Sequence, residues 1–275
     1  MKNKFIIIGN GVAGMEAAKT IREHDAEAFI TIISKETDLF YYRPRLIEYL
    51  ASKVEFDEIV VYKKQWYIDK KIECILGKTV KNIIIDKKTV VLDDGEELGY
   101  DKLLIASGSN PFILPVEGNC MNGVFTIKNK EDVDKIIDYC IDIKNVVVVG
   151  GGLLGIETAN SLKEKGLEVT IVEYADRILP RQIDKEGSSI LENMLKQKRL
   201  RFLLGEEMKE IVGDGKLKQI ILKSGKVIDT DAIIFSVGIR PIGELAIKAG
   251  LEFDKGIVVD EYMKTSKKMY MPQEM

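Results

Sequence analysis

The chain has 275 residues, of which 45% are hydrophobic and 31% charged, with 41 Lys and Arg against 44 Asp and Glu and a formal net charge of −3. This length suits about two domains of ordinary globular composition. The scattered basic residues make neither a nucleic-acid stripe nor a polybasic membrane anchor. The N-terminal MKNKFIIIG carries an apolar run too short for the roughly 7–15 residues of a signal-peptide core, and no run approaches the ~18 residues of a membrane span. A cytoplasmic protein is expected.

The first element is read in FIIIGNGVAG, residues 5–14. Its β-branched and aromatic run suits a strand buried on both faces, as in the middle of a parallel sheet. Glycines then end it. In G-x-G-x-x-G the first glycine permits a tight turn, the second lets a pyrophosphate approach the backbone, and the third lets the next helix pack close to the strand. Gly9, Gly11 and Gly14 fill these places. The helical pattern GMEAAKTIRE follows, and its N-terminus presents unpaired N–H groups and the positive end of the helix dipole to an anion. A second apolar strand, AFITIIS, ends at Ser34, and the nearest carboxylate for a ribose hydroxyl is Glu36. His24, the single histidine, is read as a residue at a helix C-terminus. Without a second histidine there is no Ser-His-Asp or Cys-His pair to propose. Trp66 is read as a packing anchor, with a partner contact as the alternative.

The segment IIIDKKTVVLDDGEELGYDKLLIASGSNP is a hairpin ribbon leading into a buried strand that ends at Gly108 and Pro111. The whole design then recurs. VVVVGGGLLGIE supplies Gly150, Gly152 and Gly155, GIETANSLKEKG a helix, and LEVTIVE a strand ending at Glu173, about twenty residues past the glycines, where a ribose acceptor belongs. EIVGDGKLKQIILKSGKVIDTDAIIFSVGIRP repeats the ribbon and the buried strand, which ends at Gly238 and Pro241. The turns DDGE, GDGK and KSGK supply the positive-φ positions of short hairpins. One glycine hexapeptide is weak evidence; two, each between a strand and a helix, predict two dinucleotide sites in one polypeptide. The cysteines, Cys74, Cys120 and Cys140, form no C-x-x-C motif, so neither a metal site nor a redox dithiol is expected, and each is read as a small buried or half-buried residue.

In the order FIIIGNGVAG, FYYRPRL, LLIASGSNP, VVVVGGGLLGIE, VTIVEYADRILPRQID, FSVGIRP, GIVVDEYMKTS, the chain resembles the two-dinucleotide-binding-domain flavoproteins of the pyridine nucleotide-disulfide oxidoreductase superfamily. Within it, the NADH:rubredoxin oxidoreductase and nitrite reductase flavoprotein branch is the most similar. The resemblance implies an α/β fold of two Rossmann-like domains, each with a small antiparallel ribbon. An NADH domain, 115–240, is inserted into an FAD domain made of 1–114 and an incomplete return, 241–275. Carried over by residue, Gly9, Gly11 and Gly14 hold the FAD pyrophosphate and Glu36 its ribose. Arg43 and Pro44 run beside the flavin, although Arg43 also reads as a surface cation. Val80 makes a backbone contact to the adenine, and Ala106 and Gly108 close over the cofactor. Gly150, Gly152, Leu153, Leu154, Gly155 and Gly238 surround NADH, and Glu173 accepts from its ribose. That carboxylate favours NADH over NADPH, against which Arg177 stands nearby. Glu157 is the carboxylate near the nicotinamide.

Two departures narrow the chemistry. The Ser-Lys pair that many relatives carry after the Arg-Pro is replaced by Ile47 and Glu48, and the DLFYYRPRL region has no cysteine. The implied activity is hydride transfer from NADH to FAD, followed by single-electron transfer to a small redox protein or iron-centre domain. The alternatives are the flavin module of a larger NAD(P)H nitrite reductase and a nucleotide-binding redox sensor without catalysis. At the C-terminus, Met269 and Tyr270 match the start of the family's next strand, and MPQEM replaces its Gly-Asp pair, the following helix and the dimerisation domain. A C-terminally shortened chain is therefore expected, with weakened FAD binding and an oligomeric state the sequence leaves open.

Overall fold

A computed structural model describes residues 2–267, so Met269 and Tyr270 lie outside the described residues. The chain forms two compact units. Of the described residues, one comprises 2–41, 60–110 and 240–267; the other comprises Tyr42–Ile59 and Pro111–Ile239.

The first unit opens with β1 (Lys4–Ile8), α1 (Val12–His24) and β2 (Phe29–Ser34). The chain then gives α2 (Leu46–Leu50) and α3 (Phe56–Ile59) to the other unit. It returns through α4 (Lys64–Asp69) to β3 (Ile72–Leu76), the ribbon β4 (Val80–Ile84), β5 (Thr89–Leu92) and β6 (Glu97–Gly99), and finally β7 (Lys102–Ile105). The parallel sheet runs β3-β2-β1-β7, with Ile8 level with both Ile33 and Ile105. The apolar run of β1 is divided between two faces. Ile7 packs with Met15, Ala18 and Ile32 on the helix side, whereas Ile6 and Ile8 pack with Ile33, Val90 and Leu92 on the ribbon side. A side chain as fully covered as Ile7 contributes about 1.5–3 kcal/mol. Trp66 stacks on Tyr62 with ring centroids 4.1 Å apart and meets Tyr67 edge-on at 5.2 Å, which makes it a packing anchor of this unit. His24 is exposed at the end of α1.

Short strands β8 (Ser109–Pro111) and β17 (Ile239–Pro241) mark where the chain leaves the first unit and re-enters it. Between them come β9 (Val124–Thr126), α5 (Lys130–Tyr139), β10 (Asn145–Val149), α6 (Leu153–Glu164), β11 (Glu168–Glu173), α7 (Lys185–Gln197) and β12 (Arg201–Leu204). The ribbon β13 (Met208–Asp214), β14 (Lys216–Leu222), β15 (Val227–Asp229) and the strand β16 (Ala232–Phe235) complete the second unit, and α8 (Glu244–Lys248) belongs to the first. The second sheet is again parallel, in the order β12-β11-β10-β16-β9. In both ribbons the turns place glycines at positive φ, Gly95 at 89°, Gly215 at 68° and Gly225 at 89°. No helix among the described residues is long and apolar enough to cross a membrane.

The segment 42–59, which the sequence reading put in the first domain, groups with the second unit for identifiable reasons. Tyr49 Oη donates to Asp134 Oδ1 at 2.7 Å, Ser161 Oγ donates to the Ile47 carbonyl at 3.3 Å, and Arg43 Nη1 donates to the Lys128 carbonyl at 2.9 Å. Burial and the Asp134 carboxylate push the Tyr49 phenol up to about 12, so it stays a donor.

The first unit is tied by one side chain. Arg22, in the last turn of α1, donates to five carbonyls, those of Lys70, Asp25, Ala26, Ala28 and Lys71, at 2.7–3.0 Å. The planar guanidinium can serve all of them, which an ammonium cannot. Arg22→Ala should lower stability by about 2–4 kcal/mol in denaturant melts, and Arg22→Lys should recover little of it. A loss within about 0.5 kcal/mol, the range of an ordinary surface substitution, would show that water replaces the guanidinium at no cost.

Candidate functional site: two glycine cradles

Both glycine loops lie at the carboxyl ends of parallel strands, where the chain turns to the two sides of the first strand, the usual ligand crevice of such sheets. A Cβ on Gly14 would stand 2.0 Å from the Gly9 carbonyl oxygen, and one on Gly155 2.0 Å from that of Gly150. The first glycines are just as confined, Gly9 by the Ala106 carbonyl at 2.1 Å and Gly150 by that of Ser236 at 2.3 Å. Gly11 and Gly152 have nothing within 4 Å. The outer glycines are thus demanded by packing, and the middle ones face open space that a ligand can enter. The helices agree. α5 is capped by a reciprocal pair, Asn129 and Asp132, and α7 by Asp184. By contrast α1 and α6 have glycine N-caps, no capping side chain and no acidic residue in the first turn, which leaves their N–H groups for an anion.

In the second unit the acid is held by the loop itself. Glu173 ends β11; its Oε2 accepts from the Gly151 N–H at 2.5 Å and its Oε1 from the Ala175 N–H at 2.8 Å. A Cβ on Gly151 would lie 3.2 Å from the Glu173 side chain, so this glycine also matters, although the fingerprint leaves its place unspecified. The middle glycine of the three in VVVVGGG was the available signal. A cleft of about 850 Å³ opens here, lined by Gly150, Gly152, Leu153, Leu154, Glu173 and Gly238 among others. Gly155 lies beneath the loop, buried. Arg177 folds back into its own loop, donating to the Pro180 carbonyl at 3.0 Å and pairing with Asp176 at 3.1 Å; the arginine among the cleft's lining residues is Arg181. Glu157 is exposed one turn into α6 and does not line the cleft. A smaller cleft of about 470 Å³, between Asn145, Thr170 and Arg201, contains none of the loop glycines.

In the first unit Gly9, Gly11, Gly14 and Ala106 come together at the ends of β1 and β7, beside the loop that carries Glu36. Val80 is buried at the start of β4, in the ribbon-side core. Gly108, exposed at φ 70°, accepts from the Ile242 N–H at 3.0 Å. Arg43 and Pro44 belong to the other unit, as does Glu48, which pairs with Arg45 at 3.0 Å. Cys74 and Cys140 are half-buried, and burial pushes their thiols up to about 12 and about 11. Cys120 departs from the expected burial: it is exposed in the loop before β9, with its thiol 3.3 Å from Asn119 Oδ1. Among the described residues no cluster of His, Cys, Asp and Glu could hold a metal ion.

These geometries separate folding from binding. Gly155→Ala must displace a backbone carbonyl and should cost more than about 3 kcal/mol of stability. Gly152→Ala should leave the melting temperature within about 2 °C of the parent while weakening dinucleotide binding at least tenfold, as read by calorimetry. Equal melting losses in the two variants would remove the distinction.

A family model described as pyridine nucleotide-disulphide oxidoreductase matches residues 3–270. An NAD(P)H nitrite reductase of Bacillus subtilis (strain 168) is 33% identical over 265 residues, covering 96% of this chain and 33% of that protein. A rubredoxin-NAD(+) reductase of Pseudomonas putida is 32% identical over 264 residues, covering 95% of this chain and 69% of that protein. Among solved structures, the NAD-dependent persulfide reductase from A. fulgidus superposes with a TM-score of 0.90 at 32% identity, covering 97% of this chain and 52% of that one. The chain therefore spans from a third to about two thirds of the length of these proteins. With two parallel sheets, two uncapped glycine cradles and this likeness along nearly all its length, the chain belongs to the pyridine nucleotide-disulphide oxidoreductase family.

Proposed function

We propose that the chain binds FAD in its first unit and NADH in its second, and that it carries electrons from NADH to an external one-electron acceptor. The observation that carries this reading is Glu173, held by two backbone N–H groups at the lip of an open cradle. In that cradle Gly150, Gly152, Leu153 and Leu154, with the uncapped start of α6, hold a pyrophosphate. Each Glu173 oxygen spends one lone pair on a backbone N–H and keeps capacity for a ribose hydroxyl. Gly9, Gly11 and Gly14 serve the FAD pyrophosphate in the same way, and Glu36 its ribose. Together the two groups supply hydride transfer and, at the flavin, release of electrons one at a time. The protein's share is positioning and needs no acid or base, which suits a chain whose single histidine ends a helix in solvent. Glu157, exposed on α6 outside the lining of the cleft, is given the nicotinamide side by the family resemblance alone.

The acceptor is an iron centre in a small redox protein. Burial keeps the Cys74 and Cys140 thiols protonated at neutral pH, hence poor nucleophiles, and DLFYYRPRL offers no cysteine. The likeness to a rubredoxin-NAD(+) reductase supports the same reading. A second reading, the flavin module of a larger nitrite reductase, is favoured by the 33% of that protein which the chain spans. A continuous reading frame encoding a sirohaem domain downstream would decide for it.

Anaerobic stopped-flow tests the proposal: NADH should bleach the flavin band, and rubredoxin or ferredoxin should restore it. Bound flavin that NADH leaves oxidised would favour a sensor. A carboxylate at Glu173 sets like charges together when a 2′-phosphate approaches, so NADH should exceed NADPH in kcat/KM at least tenfold, about 1.4 kcal/mol. Glu173→Ala should narrow that gap, and equal use of both nucleotides by the parent would sink the assignment. Replacing all three cysteines with serine should leave reduction by NADH near the parent rate; its loss in a folded variant would reveal a redox thiol.

A further inference from the structure

The two units hold a carboxylate at the end of the second strand with different residues. In the second unit Gly151 and Glu173 are a pair, the loop N–H donating to the carboxylate and the missing Cβ making room for it. Strand register, Ile8 beside Ile33 and Val149 beside Val172, sets Asn10 and Ser34 in the equivalent places of the first unit. Both are buried. Ser34 carries no charge; its Oγ instead accepts from the Glu36 N–H at 3.2 Å and turns the chain so that the carboxylate arrives two residues later. The donor in this unit is a side chain. Tyr41 Oη donates to Glu36 Oε2 at 2.6 Å, and Tyr41 is 3% exposed, its backbone bridged to Val60. Asn10 Nδ2 reaches across to the Asp38 carbonyl at 3.3 Å, while Asn10 Oδ1 is buried without a protein partner.

We propose that Tyr41 is a positioning residue for Glu36. Its immobilised hydroxyl fixes one carboxylate oxygen and with it the direction of the group toward the adenosine ribose of FAD, and Asn10 holds the same loop to the glycine cradle. The inference rests on Glu36 being the ribose acceptor of the first unit. It differs from a packing role because the hydroxyl, and not the ring, carries the effect.

The test titrates FAD and FMN into the flavin-free full chain, following flavin fluorescence, for the parent, Tyr41→Phe, Glu36→Gln and the double variant. FMN lacks the adenosine and is the internal control. Tyr41→Phe should weaken FAD binding about tenfold, the scale of one charge-assisted hydrogen bond, with FMN binding and the apoprotein melting temperature unchanged. Glu36→Gln should also weaken FAD, and the double variant should be no weaker than Glu36→Gln alone. Parent-like FAD binding by Glu36→Gln would remove the ribose assignment. A weak Glu36→Gln with a parent-like Tyr41→Phe would leave that assignment and overturn the role of Tyr41. Equal losses for FAD and FMN in Tyr41→Phe would mark a structural residue and overturn it too. If Tyr41→Phe does not fold, Glu36→Asp, which draws the carboxylate back from the hydroxyl, carries the test: about tenfold weaker FAD with FMN unchanged is expected, and parent-like FAD overturns the proposal.

Discussion

The structure depends on one close approach, made twice: a helix backbone laid against the carbonyl that ends the preceding strand. With only 2.0 Å between that oxygen and the place a Cβ would occupy, Gly14 and Gly155 admit no other residue without moving the turn. The approach aims α1 and α6 so that their first N–H groups converge above the sheet, and the absence of capping side chains there leaves those donors unsatisfied by the protein. A glycine in place of a capping side chain is a small cost in stability, of roughly a few tenths of a kcal/mol. It becomes useful only when an anion arrives.

The carboxylates complete the same arrangement from the second strand. Glu173 is rigid because both its oxygens hold backbone N–H groups, so its direction is set before any ligand binds. The loop that carries Glu36 in the first unit is organised through side chains, Ser34, Tyr41 and Asn10. One polypeptide therefore contains a backbone solution and a side-chain solution to the same electrostatic problem.

Much of this was legible in the sequence because its causes are local. The buried strands, the glycine loops, the ribbon turns and Glu173 each follow from a few neighbouring residues. What escaped depends on distance. The grouping of 42–59 with the second unit rests on Tyr49 meeting Asp134 and Ile47 meeting Ser161, contacts 85 and 114 residues apart. The role of Gly151 required knowing where the Glu173 carboxylate points. The pattern ADRILPR could not say which arginine faces the cleft, because that depends on Arg177 folding back on the Pro180 carbonyl. Cys120 was misread because cysteine's usual burial outweighed its place in a polar loop.

The interleaving of the chain has a consequence for how the protein is made. The ribbon-side core of the first unit includes Ala246, Ala249 and Leu251, so on the ribosome it stays open until the whole second unit has been synthesised. Residues 42–59 emerge long before α5 and α6, the helices that cover them. A fragment cut as 111–239 would lack that cover and expose the Ile47 and Leu50 contacts of its two helices to water. The second unit, though continuous over most of its length, is thus not separable by two cuts, and folding of the whole chain must wait on long-range closure rather than proceed one unit after the other.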